Sequence, residues 1–501
     1  MKIIPEFLED NAARFPGRIA AEDETCALTW GELCSLSENA GTAIGRLLPS
    51  GRPVVIFMEK QPRMLAAMFG AAYAGCFYVP ADPSQPAERL KHIFDVLEAG
   101  LIITLPQYEE LLDRAGYCGE RRFLNELLET TADEALLTER RKQASDTDLL
   151  YGIFTSGSTG IPKGIVVNQR AVIDFISHFT ETFGIHETDV IGNQAPFDFD
   201  VSVKDIYSCL MTGARLAIIP QRMFSTPPIL LDYLCDKKVT TLIWAVSALT
   251  IVSALKGLRY RTPEYVTRVM FSGEVMPVKQ LKLWQEALPG ASFVNLYGPT
   301  EITCNCTYYP ITRIFEEGER IPIGAAFAGR EVFLLDEAGR RITDPGTVGE
   351  LCVTGESLAE GYYRNPEETE RRFVSFTENG AEKRMYKTGD MAVIGEDGEM
   401  YFSGRKDFQI KHMGHRIELE EIERALNRIP GVEGSCCLMN EKRNRLIACY
   451  MGEAEPEDIR TGMKAIVPAY MIPHKFVRTD RMPLTKNGKT DRAYFRTLLK
   501  L

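Results

Sequence analysis

The sequence predicts an α/β protein. The expected architecture is a large N-terminal domain of βα-type sheets with a small barrel-like subdomain, followed by a small α+β C-terminal domain. Three observations carry that expectation. From the N-terminus to about residue 320, helical and strand patterns alternate, which implies mostly parallel sheets covered by helices. After that point short apolar segments are separated by glycine-rich turns: DEAGR at 336–340, DPGTVGE at 344–350 and GEDGE at 395–399. Such turns suit a smaller antiparallel or barrel-like sheet. GRKD at 404–407 then opens a last compact segment, long enough for a small domain. The domains are therefore expected over 1–403 and 404–501. The length of 501 residues agrees, at roughly 150 residues per folding unit.

The elements follow in order. Helix is expected over Pro5–Phe15 and Gly31–Leu48, strand over Pro53–Met58, helix over Pro62–Tyr73 and strand over Cys76–Val79. Helix Pro86–Glu98 precedes strand Leu101–Thr104, and one helix is expected from Leu124 to Lys142. Strand Tyr151–Phe154 leads through a Gly/Ser/Thr loop into strand Gly164–Asn168 and helix Arg170–Phe183. Strand Val190–Gln194 and helix Val203–Met211 come next. Leu216–Ile219 and Thr241–Trp244 are strands bracketing a further helix, and Val269–Ser272 and Ser292–Leu296 are two more strands. The last segment holds helix Glu418–Arg428, strand Leu446–Met451 and helix Pro456–Ile466.

Composition narrows the function classes. Lysine and arginine number 58 against 69 acids, a net charge of −11. No basic block offsets this balance, which argues against a broad nucleic-acid footprint. Twelve cysteines in 501 residues are too sparse for a disulfide-stapled secreted chain. The pairs Cys304/Cys306 and Cys436/Cys437 have no second pair at zinc-finger spacing. The N-terminal MKIIPEFLEDNAARFP has no signal-peptide pattern. Met64 to Ala81 carries no charge and reaches the lower length of a membrane span. Gly70, Gly75 and Pro80 break it into a buried helix and a strand. No membrane insertion is expected, and the cytoplasm follows as the expected compartment.

The segment Thr155-Ser156-Gly157-Ser158-Thr159-Gly160-Ile161-Pro162-Lys163-Gly164 follows a strand. Its glycines let backbone amides turn toward an anion, its hydroxyls add donors, and Lys163 adds charge. It fits neither GxxxxGK[ST] nor GxGxxG. A flexible surface loop is the alternative reading; nucleotide phosphate binding is the preferred one.

This loop resembles the phosphate-binding motif of adenylate-forming enzymes, the superfamily of acyl- and aryl-CoA synthetases, luciferases and amino-acid adenylation domains. The other motifs stand in the family's order over nearly the whole chain: LTWGEL at 28–33, AGCFYVPADP at 74–83, NLYGPTE at 295–301, YKTGD at 386–390, GRKDFQIKHMGHRIELEEIE at 404–423 and PLTKNGK at 483–489. On these the chain is identified as a member of that superfamily. The resemblance implies activation of a carboxylate by ATP with Mg²⁺ to an acyl-adenylate and pyrophosphate, then transfer to a thiol. It implies catalytic roles for Lys489, Glu301, Thr155 and Lys163. Lys489 would stabilise charge at the α-phosphate, and Glu301 would hold the metal. Nucleotide contacts fall to Ser156, Gly157, Ser158, Thr159, Gly160, Asn295, Tyr297, Gly298, Thr300, Asp390 and Arg405. Asp390 would accept from the ribose hydroxyls, as a carboxylate suits a diol. The C-terminal domain would be mobile and Asp407 its hinge. After adenylation the domain would rotate and bring the hairpin Lys411-His412-Met413-Gly414-His415 to the active site. Its two histidines are expected to be solvated rather than acid/base groups.

Asp200, in FDFDVSVKDIY at 197–207, resembles the aspartate by which amino-acid-activating members hold the substrate ammonium. Phe199 resembles the aromatic beside it. The side-chain pocket would be lined by Val201, Lys204, Ser247, Met270, Ser272, Leu296, Cys304 and Asn305. Lys204 has three readings: a partner for an acidic substrate, a partner for Asp205, or an outward-pointing surface residue. A pairing with Asp205 or solvent, and hence a small neutral amino acid, is the expectation. FDFDVSVKDIY and FSGEVMP at 271–277 are similar to D-alanine–carrier protein ligases. Ser272 and Leu296 depart from that group's usual pocket. A stand-alone nonribosomal-peptide adenylation enzyme for another amino acid stays open, as does an acyl-CoA ligase. No attachment-serine segment follows Lys489, so the phosphopantetheine carrier protein is expected to act in trans.

Overall fold

The computed structural model describes residues 2–157, 162–378, 380–441, 443–483 and 490–501. Three sheets build the large N-terminal part. The first has nine strands, in the order Ala325–Ala326, Thr307–Pro310, Ser292–Tyr297, Arg268–Ser272, Thr241–Ala245, Val190–Asn193, Arg215–Ile218, Ile19–Glu22 and Ala27–Thr29. Its six central neighbours are parallel, and the strands at both margins are antiparallel. The second has seven strands, in the order Gly361–Tyr362, Lys163–Asn168, Leu149–Thr155, Phe77–Ala81, Pro53–Phe57, Leu101–Thr104 and Glu120–Phe123. Here too the sheet is parallel except at one margin, where Leu149–Thr155 and Lys163–Asn168 form an antiparallel hairpin around the glycine loop.

The third sheet is antiparallel and curls around the 14-residue strand Ala381–Ile394. It is the half-barrel that the glycine-rich turns predict. Its last strand, Met400–Arg405, pairs Arg405 with Asp390. The C-terminal α+β part follows, with the hairpin Gln409–His412/His415–Glu418 and the three-stranded sheet Val432–Asn440, Arg445–Gly452 and Lys475–Arg478. It has a separate core, in which Ile422, Leu426, Leu446, Ile459 and Met471 are fully buried.

Local chemistry explains the elements. The helix Trp30–Leu47 starts at a capping box: Glu32 N–H donates to Thr29 Oγ1 at 3.2 Å and Thr29 N–H to the Glu32 carboxylate at 2.8 Å. This is the physical content of LTWGEL. The uncharged run from Met64 forms the helix Pro62–Tyr73, a turn at Gly75 with φ of +70°, and the strand Phe77–Ala81. Among the described residues no helix is long and apolar enough to cross a membrane. The helix expected over Leu124–Lys142 is instead two, Leu124–Leu128 and Glu134–Gln143. Asp133 restarts the chain by accepting from the Leu136 N–H at 3.1 Å, and this side-chain cap competes with helix continuation.

Helices Trp30–Leu47 and Pro62–Tyr73 cross where both lack side chains. A Cβ on Gly70 would lie 2.6 Å from the Ala40 Cβ and 2.9 Å from the Gly41 nitrogen. Alanine for glycine inside a helix ordinarily gains about 1 kcal/mol, but overpacking costs about 1–3 kcal/mol. Since a backbone atom cannot yield as a flexible side chain can, the clash should win. Gly70→Ala is expected to lower the calorimetric unfolding midpoint. An unchanged or raised midpoint would show that the two helices separate freely.

Candidate active site

The carboxyl ends of the parallel strands Thr241–Ala245, Arg268–Ser272 and Ser292–Tyr297 open on one edge, the usual place for a site in an open α/β sheet. After Tyr297 the chain passes so close to residues 304–306 that a Cβ on Gly298 would lie 2.5 Å from the Asn305 Cα. That approach sets Glu301 into the interior, in the short turn Thr300–Ile302, where it is 1% exposed.

Glu301 is held by three hydrogen bonds from two donors. Tyr362 Oη donates at 2.6 Å, and Arg416 Nη1 reaches both carboxylate oxygens at 2.8 and 2.7 Å. Burial by itself would raise this carboxyl. The Arg416 charge and the hydrogen bonds outweigh it and hold the group at about 2. Arg416 also donates from Nε to Gln409 Oε1 at 2.7 Å, and its carbonyl accepts from Ser156 Oγ at 2.6 Å. Gly157 donates its amide to Glu421. The described part of the glycine loop thus meets the segment after the hairpin. Lys163 donates to Glu368 at 3.0 Å. Thr155 ends the strand before the loop. Ser158, Thr159 and Gly160, and Lys489 with its neighbours from Leu484, lie outside the described residues.

Asp390 accepts from Tyr297 Oη and from Arg405. Arg405 also grips Asp407 through two hydrogen bonds, of 2.6 and 2.7 Å. One guanidinium therefore ties the carboxylate assigned to ribose to the residue assigned to the hinge. Asn295 donates to the Pro322 carbonyl at 2.8 Å.

Asp200 stands at the start of the helix Val201–Thr212 but does not cap it. Its carboxylate accepts from Thr300 Oγ1 at 2.6 Å, and burial raises its pKa. The Cys304 thiol donates to the Asp200 carbonyl at 2.6 Å. Val201, Met270, Ser272, Leu296, Cys304 and Asn305 are all buried nearby in the fold. Ser247 is in the helix Val246–Ala254, beside Gly414.

Lys204 corrects the sequence expectation. It is fully buried, and its Nζ donates to Asn305 Oδ1 at 2.6 Å and Ser272 Oγ at 3.4 Å. It neither points outward nor forms an ion pair with Asp205. Asp205 accepts from Asn193 at 2.7 Å, and burial pushes its carboxyl up to about 7. Residues 200 and 204 are four apart at the start of a helix and so share one face. That spacing was the available signal for the inward direction.

The hairpin also departs from expectation. His412 is 1% exposed, and His415 stacks on Tyr470 with ring centroids 3.7 Å apart. Neither is solvated. Burial drives the His415 imidazole down to about 4, so it is neutral near pH 7. Its ring also lies 5.8 Å from Phe199. Gly414, at φ +82°, donates its amide to Glu274 at 2.6 Å. Lys411 places Nζ 5.8 Å from the Tyr297 ring centre, and Asp390 and Asp200 favour its charge against the burial that lowers its pKa. Lys411 and Arg416 bring two cations to the site for which sequence reasoning gave no role. The expected approach of the Lys411–His415 hairpin to the active site placed the ribbon but assigned neither cation a contact.

The sequence profile described as AMP-binding enzyme matches residues 8–363. Tyrocidine synthase 3 of Brevibacillus parabrevis is 34% identical over 97% of this chain, which spans 7% of that protein. Zwittermicin A synthase ZmaJ of Bacillus cereus is 33% identical, over 98% of this chain and 94% of its own length. A D-alanine–D-alanyl carrier protein ligase of Lacticaseibacillus casei strain BL23 is 30% identical, over 96% of each chain.

The Glu301–Arg416 pair sets an acid dependence. A carboxyl depressed in the folded state stabilises fully above its unfolded pKa and loses that contribution as pH falls through the folded value. For Glu301 the loss runs from about 4.5 down to about 2. Arg416→Gln leaves a buried carboxylate without its cation, which costs about 3–5 kcal/mol less whatever undocking of the hairpin relieves. The deficit relative to wild type should be large at neutral pH and shrink in acid, as Glu301 of the variant takes a proton. Unfolding free energies measured at both pH values check this. A deficit independent of pH would contradict it.

Proposed function

Because the chain belongs to the AMP-binding enzyme family, we propose that it activates an amino acid with ATP and Mg²⁺ and loads it onto a carrier protein in trans. In the first step a substrate carboxylate oxygen attacks the α-phosphorus. The bond to the β-phosphate oxygen breaks, giving aminoacyl-AMP and pyrophosphate. In the second step a phosphopantetheine thiolate attacks the acyl carbon, and AMP leaves as the acyl–oxygen bond breaks. The reaction draws on the cytoplasmic ATP supply.

One observation carries the amino-acid reading. Asp200 is a buried carboxylate with a single described hydrogen-bond donor to its side chain, Thr300, and a buried carboxylate calls for a cation. The substrate's α-ammonium supplies it. A plain carboxylic acid would not. The remaining residues fit the nucleotide and its metal. Asp390 offers acceptors to a diol, and Glu301 is a hard oxygen ligand of the kind Mg²⁺ takes. Its present partner, Arg416, would have to withdraw first. Lys489 is the proposed cation at the α-phosphate, and Asp407 the proposed hinge between domains 1–403 and 404–501.

Pyrophosphate exchange into ATP should therefore require an amino acid. Asp200→Ala should nearly abolish it, a loss of about 3–5 kcal/mol for a fully desolvated pair, while a des-amino analogue should be affected much less. Exchange supported only by a plain carboxylic acid would favour the acyl-CoA ligase reading instead.

Lys204 bears on which amino acid is taken. Likeness to the D-alanine ligases favours a small neutral side chain. The buried ammonium of Lys204, whose two hydrogen-bond partners are both neutral, favours a side chain that brings an acceptor or a carboxylate. Once the α-ammonium neutralises Asp200, an acidic side chain would neutralise Lys204 in turn. Exchange rates for D-alanine, L-alanine, serine, aspartate and glutamate in wild type and Lys204→Met decide between them. A wild-type preference for acidic substrates that disappears in the variant supports the role of Lys204. An unchanged rank order with alanine first supports the D-alanine reading.

A further inference from the structure

The C-terminal part contains a cavity of about 220 Å³ that no step proposed above uses. Its walls are His412 and Met413 of the hairpin, Arg460 and Lys464 of the helix Pro456–Met463 and its end, and Tyr470 and His474 of the following loop. The space equals that of about seven liquid waters, enough for a tetrahedral oxyanion and its hydration.

The charges around it are uncompensated. Arg460 donates to the His474 carbonyl at 3.4 Å and lies 5.2 Å from the Phe476 ring centre. Among the described residues neither Arg460 nor Lys464 has a carboxylate within ion-pair distance. The rings of His412 and His474 stand edge to face, 5.6 Å apart. His412 is the floor of the site. It is 1% exposed, its Nδ1 meets Asn444 Oδ1 at 3.1 Å, and its Nε2 has no partner. A buried unpaired ring nitrogen is costly, and cations without carboxylate partners around a cavity call for an anion.

We propose that this cavity binds a phosphate group, held by Arg460, Lys464, His474 and the free Nε2 of His412. Arginine supplies a planar fork suited to phosphate oxygens and lysine a point charge. In the tautomer that donates from Nδ1 to Asn444, Nε2 carries a lone pair. His412 would therefore take up a proton from solvent at Nε2 as the phosphate binds, and would then donate from both nitrogens. The same chemistry serves a free phosphate ion or the phosphate ester of a pantetheine arm. His412 belongs to the hairpin whose Gly414 touches Glu274 and lies beside Ser247, so an occupied cavity would brace the strand that carries Lys411.

The imidazole resonances of His412 and His474 in the full chain report on the site directly. They are assigned with His412→Gln and His474→Gln and followed during titration with inorganic phosphate, then with 4′-phosphopantetheine. Both resonances should shift and saturate at millimolar phosphate. Arg460→Gln combined with Lys464→Gln should weaken binding by about tenfold or more, and Lys500→Gln, outside the cavity, should not. Tighter binding of phosphopantetheine than of phosphate identifies the arm as the source; equal binding identifies the free ion. Unmoved resonances in the wild type, or unchanged affinity in the double variant, would overturn the proposal. These readouts do not depend on pyrophosphate exchange, so the site stands or falls apart from the proposed reaction.

Discussion

The bidentate ion pair between Glu301 and Arg416 is the constraint on which the arrangement of the site depends. Glu301 comes from the turn after a central strand of the large sheet, and Arg416 from the C-terminal hairpin. Both are withdrawn from water, so each is costly without the other. The pair therefore does more than hold two surfaces together. It makes the position of the hairpin a condition for the charge on Glu301. The smaller contacts agree with it: Ser156 to the Arg416 carbonyl, Gly414 to Glu274, and the buried pair Arg89–Glu421. A carboxylate suited to a divalent cation is here neutralised by a guanidinium.

The same logic of compensation runs through the interior. Asp200, Lys204 and Lys411 are buried close together, and no two of them form a direct ion pair. All three interact through space, and Asp200 and Lys204 also through neutral partners: Thr300 for the one, Asn305 and Ser272 for the other. Low dielectric makes such an unpaired set expensive. Arg405 shows the contrasting case. It satisfies Asp390 and Asp407 directly, and so links the nucleotide side of the site to the junction with the C-terminal part.

The hairpin 409–418 is where these networks meet. One face carries Lys411 and Arg416 toward the large domain. His412 turns to the C-terminal core, and His415 lies against Tyr470. Side chains alternate along a strand, so a single two-stranded ribbon can join an active-site surface to a cavity behind it.

Much of the protein was legible in the order of its residues. The alternation of strand and helix and the glycine-rich turns of the half-barrel are local chemistry, and local chemistry is written in sequence. The motifs around Glu301, Asp390 and Asp200 were read through their resemblance to those of adenylate-forming enzymes; taken alone, the Glu and Asp of such turns are as readily helix-terminal or turn residues. The break at Asp133 was missed because a side-chain cap outweighed helix periodicity. The partners of Arg416, the burial of His412 and the hydrogen bonds of Lys204 to Asn305 and Ser272 were decided by tertiary structure alone. Each depends on a charge or ring meeting a group distant in the chain, and the cost of burying a charge is set by what surrounds it in space.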